Sequence, residues 1–207
     1  LKLKLGRGNI WMPKGEGLKR DIEVTKLVAK TFPDCEILVD ANDGFTIDTA
    51  INYLEGVRDI PLFWIEEPFA ETVADYQKLR AWTNVNMPKM LLADGEANPD
   101  QKLLRELEEK KLLDVHLTDM IGYGFTPWRK LMPELKKMGI LASPHAFGEL
   151  LKSYYCSHLT GALGNTATIE GVPATCEEVD FGAYKIEGGK FIPSPAPGFG
   201  MKLLKKA

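Results

Sequence analysis

Six charged residues recur along the chain, each just after a short apolar segment. They follow one another at intervals of 26, 30, 23, 26 and 25 residues, and they are Asp40, Glu66, Glu96, Asp119, His145 and Glu170. A strand with its crossover helix takes roughly 30 residues. The spacing therefore indicates one functional group per βα unit, placed where each strand ends.

The types of these residues indicate acid–base chemistry beside a metal ion. The first three are carboxylates, the ligands that Mg²⁺ prefers. Asp119 precedes His145 by one βα unit, and a carboxylate beside an imidazole fixes its tautomer and supports its protonated form. Lys2 and Lys4 lie on one face of the first predicted strand, because residues two apart share a face. Such groups suit abstraction of a proton α to a carboxylate, where the metal stabilises the enediolate that forms.

The pattern of apolar segments and turn residues predicts strict alternation of strands and helices. Seven strands are expected, in LKLKLG, EILVDAN, PLFWIEEP, MLLADGEA, LLDVHLTDM, ILASPHA and TATIEGV. Helices are expected between them. One ends near Phe32, three begin near Thr46, Thr126 and Glu149, and one runs from about Val73 to Thr83. A further helix has Pro99 in its first turn. The alternation implies a parallel sheet with helices outside it, and polar groups at the strands' carboxyl ends are typical of a (β/α) barrel.

Composition and length bound the class of protein. With 44% hydrophobic and 27% charged residues and a net charge of −3, the chain resembles ordinary globular proteins and gives no reason to expect nucleic acid as a partner. No apolar segment approaches the roughly 20 residues of a membrane span. Its 3 cysteines, without a pattern, fit reduced thiols and a cytoplasmic location. At 207 residues the chain is shorter than the about 250 of a full barrel, and it begins inside a strand, so a fragment or a separately numbered half is expected.

The strand-end motifs together resemble the enolase superfamily, in particular its mandelate racemase subgroup, which includes muconate lactonizing enzyme-like proteins and acid-sugar dehydratases. The motifs are KLKLG, VDAND, IEEPF, DGEAN, LTDM with GYG, SPHAFG and TIEG, and the likeness continues into PAPGFGMKL. The resemblance implies an α/β fold, a (β/α)7β TIM-like barrel that here lacks the first strand and the N-terminal capping domain. Residues 1–172 would form the barrel portion with seven strands. Residues 173–207 would form a Gly- and Pro-rich tail with a hairpin in FGAYKIEGGKFIP, packing back on the barrel or cap.

The resemblance also assigns roles to individual residues. It implies Mg²⁺ as the cofactor, with three carboxylate ligands, namely Asp40, Glu66 and Glu96. Lys4 would be a base on one side of the substrate, and like-charge repulsion from Lys2 would make it a better one. His145, held by Asp119, would be the acid or base on the opposite side. Glu170 would hydrogen-bond the substrate carboxylate as charge develops.

Neighbouring residues leave some assignments open. Asp94 rivals Glu96 as the third metal ligand, and the GEAN match favours Glu96. Glu67 is expected to point away from the face that carries Glu66. Asn42 either orients Asp40 or a water molecule, or serves a turn. Two further histidines, His116 on the outward face of its strand and His158 within a helix, are expected to be structural.

The expected function is Mg²⁺-dependent dehydration of an acid sugar, which makes the protein a lyase. Racemisation or epimerisation of a 2-hydroxy acid or related carboxylate is the alternative, because two opposed bases serve it equally well. A third possibility, of another class, is a non-catalytic barrel fragment that needs its N-terminal half. The resemblance further implies a small carboxylate substrate and a homo-oligomer.

Overall fold

The protein, represented by a computed structural model, is described over four stretches of the chain, residues 1–6, 11–96, 98–171 and 176–204. Strands and helices alternate along them. The first six strands are β1 (Lys2–Lys4), β2 (Ile37–Asp40), β3 (Leu62–Glu66), β4 (Leu91–Asp94), β5 (Val115–His116) and β6 (Leu141–Ala142). The helices are α1 (Lys14–Thr31), α2 (Ile47–Gly56), α3 (Val73–Asn86), α4 (Gln101–Glu109), α5 (Met120–Tyr123), α6 (Phe125–Met138) and α7 (Leu150–Leu163).

Strands β1 to β6 belong to one sheet and follow one another in chain order. The predicted α/β class with a parallel sheet is therefore confirmed. The chain forms two compact units, of which the first comprises Leu1–Gly95 with Pro99–Val115 and the second comprises Glu96–Asn98 with His116–Ala207. Among the described residues, no helix has both the length and the apolar composition needed to cross a membrane.

The register of the first unit aligns the polar ends of its strands. Strands β1, β2, β3 and β4 pair in parallel, with Lys4 beside Asp40 and Asp40 beside Glu66. The residues that precede these positions alternate to the other side of each strand. Val39 and Ile65 are fully buried in the apolar core of this unit, and Leu3 is partly buried against it. One edge of the sheet therefore carries charge while the layer beneath it is apolar.

The second unit has its own core, formed largely by α6 and α7. Trp128, Met132 and Leu135 follow one another at helical spacing on α6 and are fully buried. The N–H of Ser143 donates to the carbonyl of His116, and the N–H of His145 donates to the carbonyl of Leu117, both at 3.0 Å. Parallel pairing thus positions the SPHAFG segment beside the end of β5.

The segment TATIEG departs from the predicted seventh strand. Over the described residues it makes one isolated parallel bridge, between Ala142 and Thr166. Two serine hydroxyls donate hydrogen bonds to its backbone carbonyls. Ser143 Oγ donates to the carbonyl of Thr168, and Ser153 Oγ donates to the carbonyl of Glu170, both at 2.8 Å. Side-chain hydrogen bonds, instead of a regular ladder, hold this segment, and Val172 at its end lies outside the described residues.

The tail contains the predicted hairpin and a second pairing that the sequence did not indicate. Strands β8 (Lys185–Glu187) and β9 (Lys190–Ile192) form the antiparallel hairpin, while β7 (Val179–Asp180) pairs with β10 (Lys202–Leu203).

Aromatic contacts join the tail to helix α7. The ring of Tyr154 stacks on Phe181 with centroids 4.3 Å apart, and Tyr155 lies 4.6 Å from Phe199. Within the tail itself, the Tyr184 hydroxyl donates to the carbonyl of Phe199 at 2.6 Å. The tail is therefore part of the packing of this helix.

Helix starts follow the expected capping chemistry, with one correction. Thr46, Thr72 and Asp100 precede α2, α3 and α4, and each side chain accepts a backbone N–H of the first turn. Pro99 was predicted in the first turn of α4. It lies before the cap instead, because Asp100 takes the capping position.

A buried carboxylate fixes the turn that follows β1. Gly6 adopts a left-handed conformation, with φ +69°, and its N–H donates to Asp21 Oδ2 at 2.9 Å. Asp21 lies on α1 and is 2% exposed. The hydrogen bond therefore ties helix α1 to the end of the strand that carries Lys4.

We expect the stability of Asp21→Asn relative to the parent to rise with pH. Burial raises the pKa of Asp21 above 3.8, although the Gly6 N–H and Arg20 act in the opposite direction. The folded state thus holds the proton more tightly than the unfolded chain, so the contribution is present below pH 3.8 and is lost as the pH rises through the folded pKa. Asparagine keeps an acceptor oxygen and carries no charge.

Urea denaturation at pH 3.5, 5 and 7 would measure this effect. The exposed Asp34→Asn change serves as the matched control, since it removes a carboxylate from the surface of the same unit. A stability difference between Asp21→Asn and the parent that is the same at all three pH values would contradict the prediction.

Candidate active site

Two carboxylates lie side by side at the charged edge of the first unit. Asp40 ends β2 and Glu66 ends β3, and their backbones are paired in register. Both residues are almost completely buried, with exposed fractions of 0% and 1%. Buried carboxylates are costly unless cations or hydrogen-bond donors face them.

Lys2 and Lys4 supply those cations, from the face of β1 that the sequence predicted. Lys2 Nζ lies 3.1 Å from Glu66 Oε1 and 3.3 Å from Asp40 Oδ2. Lys4 Nζ donates to Asp40 Oδ2 and, at 2.8 Å, to Asn42 Oδ1. The structure thus brings four of the predicted site residues together in this unit.

Three neighbours complete this group. Asn42 turns out to have both of its suggested roles, because its N–H donates to Asp40 Oδ1 at 3.0 Å within a left-handed turn, φ 42°. Its amide nitrogen donates to Glu67 Oε2 at 3.2 Å. Trp64, which sequence reasoning missed, donates from Nε1 to Glu66 Oε2 at 3.1 Å. The signal was present in LFWIE, where Trp64 precedes Glu66 by two residues and so shares its face.

Asp94, the rival metal ligand, has partners of its own in the first unit. It is fully buried, and the Tyr76 hydroxyl donates to its Oδ2 while the Gly95 N–H donates to Oδ1 at 2.6 Å. Burial, together with the charge of Glu71, raises the pKa of this carboxyl well above its ordinary value. These contacts agree with a supporting role for Asp94.

In the second unit, the predicted histidine and aspartate form a close pair. An isolated parallel bridge aligns the backbones of Asp119 and His145, and His145 Nδ1 lies 2.9 Å from Asp119 Oδ2. The Asp119 Oδ1 atom accepts the N–H groups of Ile121 and Gly122, at the start of helix α5. Each carboxylate oxygen therefore has a defined partner.

Sequence reasoning missed a further contact of Asp119. Lys152 Nζ donates to Asp119 Oδ2 at 2.7 Å. Burial raises the pKa of Asp119, but hydrogen bonds from Gly122, Lys152, His145 and Ile121 outweigh it and lower that pKa to about 2. Lys152 could have been noticed as a cation in the first turn of a helix, where the helix dipole disfavours positive charge.

The other ring nitrogen of His145 faces two more predicted residues. Its Nε2 lies 3.1 Å from Glu96 Oε1 and 3.5 Å from Glu170 Oε2. Glu170 is oriented by the N–H groups of Ala146 and Phe147, which donate to Oε2 at 3.0 and 2.9 Å. The second unit thus brings together the remaining four predicted site residues.

The two other histidines make structural contacts, as expected. His116 is 2% exposed, hydrogen-bonds Thr118 at 2.7 Å and packs edge-on against Trp128. His158 contacts the hydroxyl of Tyr184 in the tail.

These two groups can do different chemistry. The first unit offers buried carboxylate oxygens, which suit a hard divalent cation, together with two amines. The second unit offers an imidazole whose two nitrogens both face carboxylates, so that it can take up and release a proton in a fixed orientation.

A sequence model of the enolase C-terminal domain-like proteins matches residues 1–207. The chain belongs to this family. The predicted relation to the mandelate racemase and muconate lactonizing enzyme group of the enolase superfamily is thereby confirmed.

Three relatives of this enolase C-terminal domain-like chain bear on its function. Structures of galacturonate dehydratase from Geobacillus sp., one of a mutant complexed with Mg and one with D-galacturonate and 5-keto-4-deoxy-D-galacturonate, have a TM-score of 0.91, 33% identity and cover 98% of this chain. A D-galactonate dehydratase family member from Streptomyces sp. (strain SPB074) is 30% identical over 173 residues, 80% of this chain. An L-amino acid-D/L-Glu epimerase from Sulfurimonas denitrificans (strain ATCC 33889 / DSM 1251) is 25% identical over 109 residues, 52% of this chain.

The chain is considerably shorter than these relatives. It spans 52% and 54% of the two Geobacillus chains, 38% of the Streptomyces protein and 29% of the epimerase.

We expect Asp119 to stabilise the protein at neutral pH and to lose this contribution in acid. Its pKa of about 2 in the folded protein lies below the ordinary value of 3.8. The contribution is therefore complete above pH 3.8 and falls as the pH is lowered towards 2. Asp119→Asn should be less stable than the parent at pH 7, and the difference should be smaller at pH 3.

Urea denaturation midpoints at pH 7, 5, 4 and 3 would test this, again with Asp34→Asn as the control. If the gap between Asp119→Asn and the parent stays constant or widens as the pH falls, the stabilising role of the ionised Asp119 is wrong.

Proposed function

We propose that the protein catalyses the Mg²⁺-dependent dehydration of an acid sugar, starting with abstraction of the proton α to the carboxylate. The observation that carries this proposal is His145, whose Nδ1 is held by Asp119 while Nε2 faces Glu96 and Glu170. An imidazole oriented in this way is a general acid–base group. The similarity to galacturonate and galactonate dehydratases supports the same reaction class.

We propose Asp40, Glu66 and Glu96 as the Mg²⁺ ligands. The donor chemistry fits, since all three offer hard carboxylate oxygens at the ends of consecutive strands, and the Geobacillus relative is complexed with Mg. When bound, Mg²⁺ stabilises the negative charge that develops on the substrate carboxylate.

Two groups are proposed to move the α-proton. Lys4 Nζ or His145 Nε2 takes it, depending on the configuration of the substrate, with Lys2 beside Lys4 as a second cation. Glu170, in its protonated form, donates a hydrogen bond to the substrate carboxylate as charge develops there.

The second half of the reaction removes the β-hydroxyl. Protonated His145 donates its proton to that oxygen, the carbon–oxygen bond breaks, and water leaves. The resulting enol becomes a keto group. The two sugar acids bound to the Geobacillus relative differ in this way, by loss of water across neighbouring carbons, which supports a hexuronate-like substrate for this chain.

Epimerisation is the second candidate, favoured by the similarity to an amino acid epimerase. It would use the same α-proton abstraction and return the proton to the other side, with no loss of a hydroxyl group.

The surrounding architecture is proposed on the same basis. The sheet would be part of a (β/α)7β TIM-like barrel over residues 1–172, with the tail over 173–207, a capping domain that contributes to substrate recognition, and a homo-oligomeric, cytoplasmic protein. These points stay predictions.

The proposed ligands predict the pattern of metal binding. Asp40→Asn, Glu66→Gln and Glu96→Gln in the full-length protein should each weaken Mg²⁺ binding by more than about 100-fold, because removing a direct ligand costs more than the 10- to 100-fold typical of outer groups. Isothermal titration with Mg²⁺ measures this directly.

Asp94→Asn is the matched control, since Asp94 precedes Glu96 by two residues. It should weaken Mg²⁺ binding by no more than the roughly 10- to 100-fold typical of an outer group, below the loss set for a direct ligand. Unchanged affinity in both Asp40→Asn and Glu66→Gln would remove the metal site, and a loss confined to Asp94→Asn would transfer the third ligand to Asp94.

The proposed bases predict the behaviour of the reaction. With D-galacturonate and D-galactonate as substrates, His145→Asn should lower kcat by about 10²- to 10⁴-fold, the usual contribution of general acid–base catalysis, because His145 also protonates the leaving hydroxyl. Lys4→Ala should lower kcat to a similar extent for a substrate whose α-proton is on the side of Lys4. Mass spectrometry of the product in D₂O reports loss of water and deuterium uptake together.

His158→Asn, on helix α7 and outside the proposed machinery, is the control and should keep parental turnover. Deuterium exchange without loss of water would favour the epimerase. Full exchange and turnover in both Lys4→Ala and His145→Asn would show that the proposed bases are wrong.

A further inference from the structure

Lys152 is a buried cation at the edge of the histidine pair. It is the third residue of α7, and its side chain is 10% exposed. Its Nζ donates to Asp119 Oδ2 at 2.7 Å and approaches the carbonyl of Phe147 at 3.4 Å. It therefore connects three places in the unit: the first turn of α7, the end of β5 and the segment that carries His145.

This position is costly for a lysine. Burial removes the water around the ammonium group, and the exposed N–H groups of a helix start carry partial positive charge. Glu149, the residue that caps α7, makes no side-chain hydrogen bond to the helix start. A buried cation in such a place requires a specific anion, and Asp119 is that anion.

The carboxylate oxygen that Lys152 contacts is the one beside the histidine. Asp119 Oδ2 lies 2.9 Å from His145 Nδ1 and 2.7 Å from Lys152 Nζ, while Oδ1 accepts two N–H groups of α5. Rotation of the carboxylate about its Cβ–Cγ bond would break contacts on both oxygens. Lys152 thus helps to fix the direction from which the carboxylate meets the imidazole.

We propose that Lys152 is a positioning residue. Through Asp119 it favours the tautomer of His145 with the proton on Nδ1, against Glu96, whose carboxylate lies 3.1 Å from Nε2 and favours a proton there. Nε2 is then the nitrogen that is presented to the substrate. The effect of Lys152 on turnover rests on the proposed function, whereas its effect on the tautomer does not.

An exposed pair in the same unit shows what the burial of Lys152 adds. Lys185 Nζ lies 2.7 Å from Glu187 Oε1, the same distance, but those side chains are 56% and 58% exposed. Exposed ion pairs are screened by water and contribute little. Lys185→Met is therefore a matched control for Lys152→Met, with the same change and the same separation but no burial.

The tautomer can be observed directly in the full-length protein. The 207-residue chain contains 3 histidines. With ¹⁵N-histidine labelling at pH 8, the imidazole signals that disappear in His145→Asn identify those of His145. The parent and Lys185→Met should show His145 with the proton on Nδ1. Lys152→Met should show a mixture of tautomers or a shift to the other one, and Lys152→Gln provides the same test if the Met variant does not fold. An unchanged tautomer in the folded variant would overturn the proposal.

A double-mutant cycle separates positioning from a general effect on folding. With the acid sugar that the parent turns over, Lys152→Met should lower kcat by about 10- to 100-fold with little change in KM, the usual effect of losing an outer partner. In the Asp119→Asn background the same change should have almost no further effect, because Lys152 acts through Asp119. Losses that simply multiply would contradict the proposal.

The two experiments also separate this proposal from the proposed function. If no acid sugar is turned over, the proposed function fails, and the tautomer in Lys152→Met alone decides the role of Lys152. If turnover occurs and the tautomer does not respond, the function stands and the positioning role is wrong.

Discussion

A carboxylate that is wholly or partly buried needs cations or hydrogen-bond donors around it, and both units of the chain meet this requirement at their strand ends. In the first unit, Asp40 and Glu66 are buried at the ends of paired strands, and the amines of Lys2 and Lys4 face them. In the second unit, the partly buried Asp119 contacts two backbone N–H groups, an imidazole and an ammonium group. Parallel pairing brings these groups to the strand ends, and the need for counter-charges then determines which residues can occupy the positions beside them.

The parts of the structure that were predictable from the sequence depend on short-range patterns. Alternation along a strand placed Lys2 and Lys4 on one face, and the βα period placed a polar residue at each strand end. The four residues that lie together in each unit could therefore be named in advance. Capping preferences located the starts of α2 and α3 within a residue. For these features, the residues that decide the outcome are neighbours in the sequence.

What could not be predicted depends on partners far along the chain. TATIEG has the composition of a strand, but the hydroxyls of Ser143 and Ser153 take two of its carbonyls and only one bridge remains. Lys152 and Asp119 are 33 residues apart. A lysine in the first turn of a helix is unusual, but ELLKSYY does not indicate which acid it contacts. The pairing of β7 with β10 joins two residues at each end of the tail, too short a signal to recognise as strands.

The aromatic contacts between the tail and α7 have a consequence for how this protein can be shortened. Tyr154 and Tyr155 follow Lys152 on the same helix, and they pack against Phe181 and Phe199 of the last described segment. Because these rings pack together, helix α7 cannot shift without also moving the tail. Removal of residues 176–204 would therefore disturb the helix that carries Lys152, and through Lys152 the imidazole, although no described residue of the tail contacts that ring.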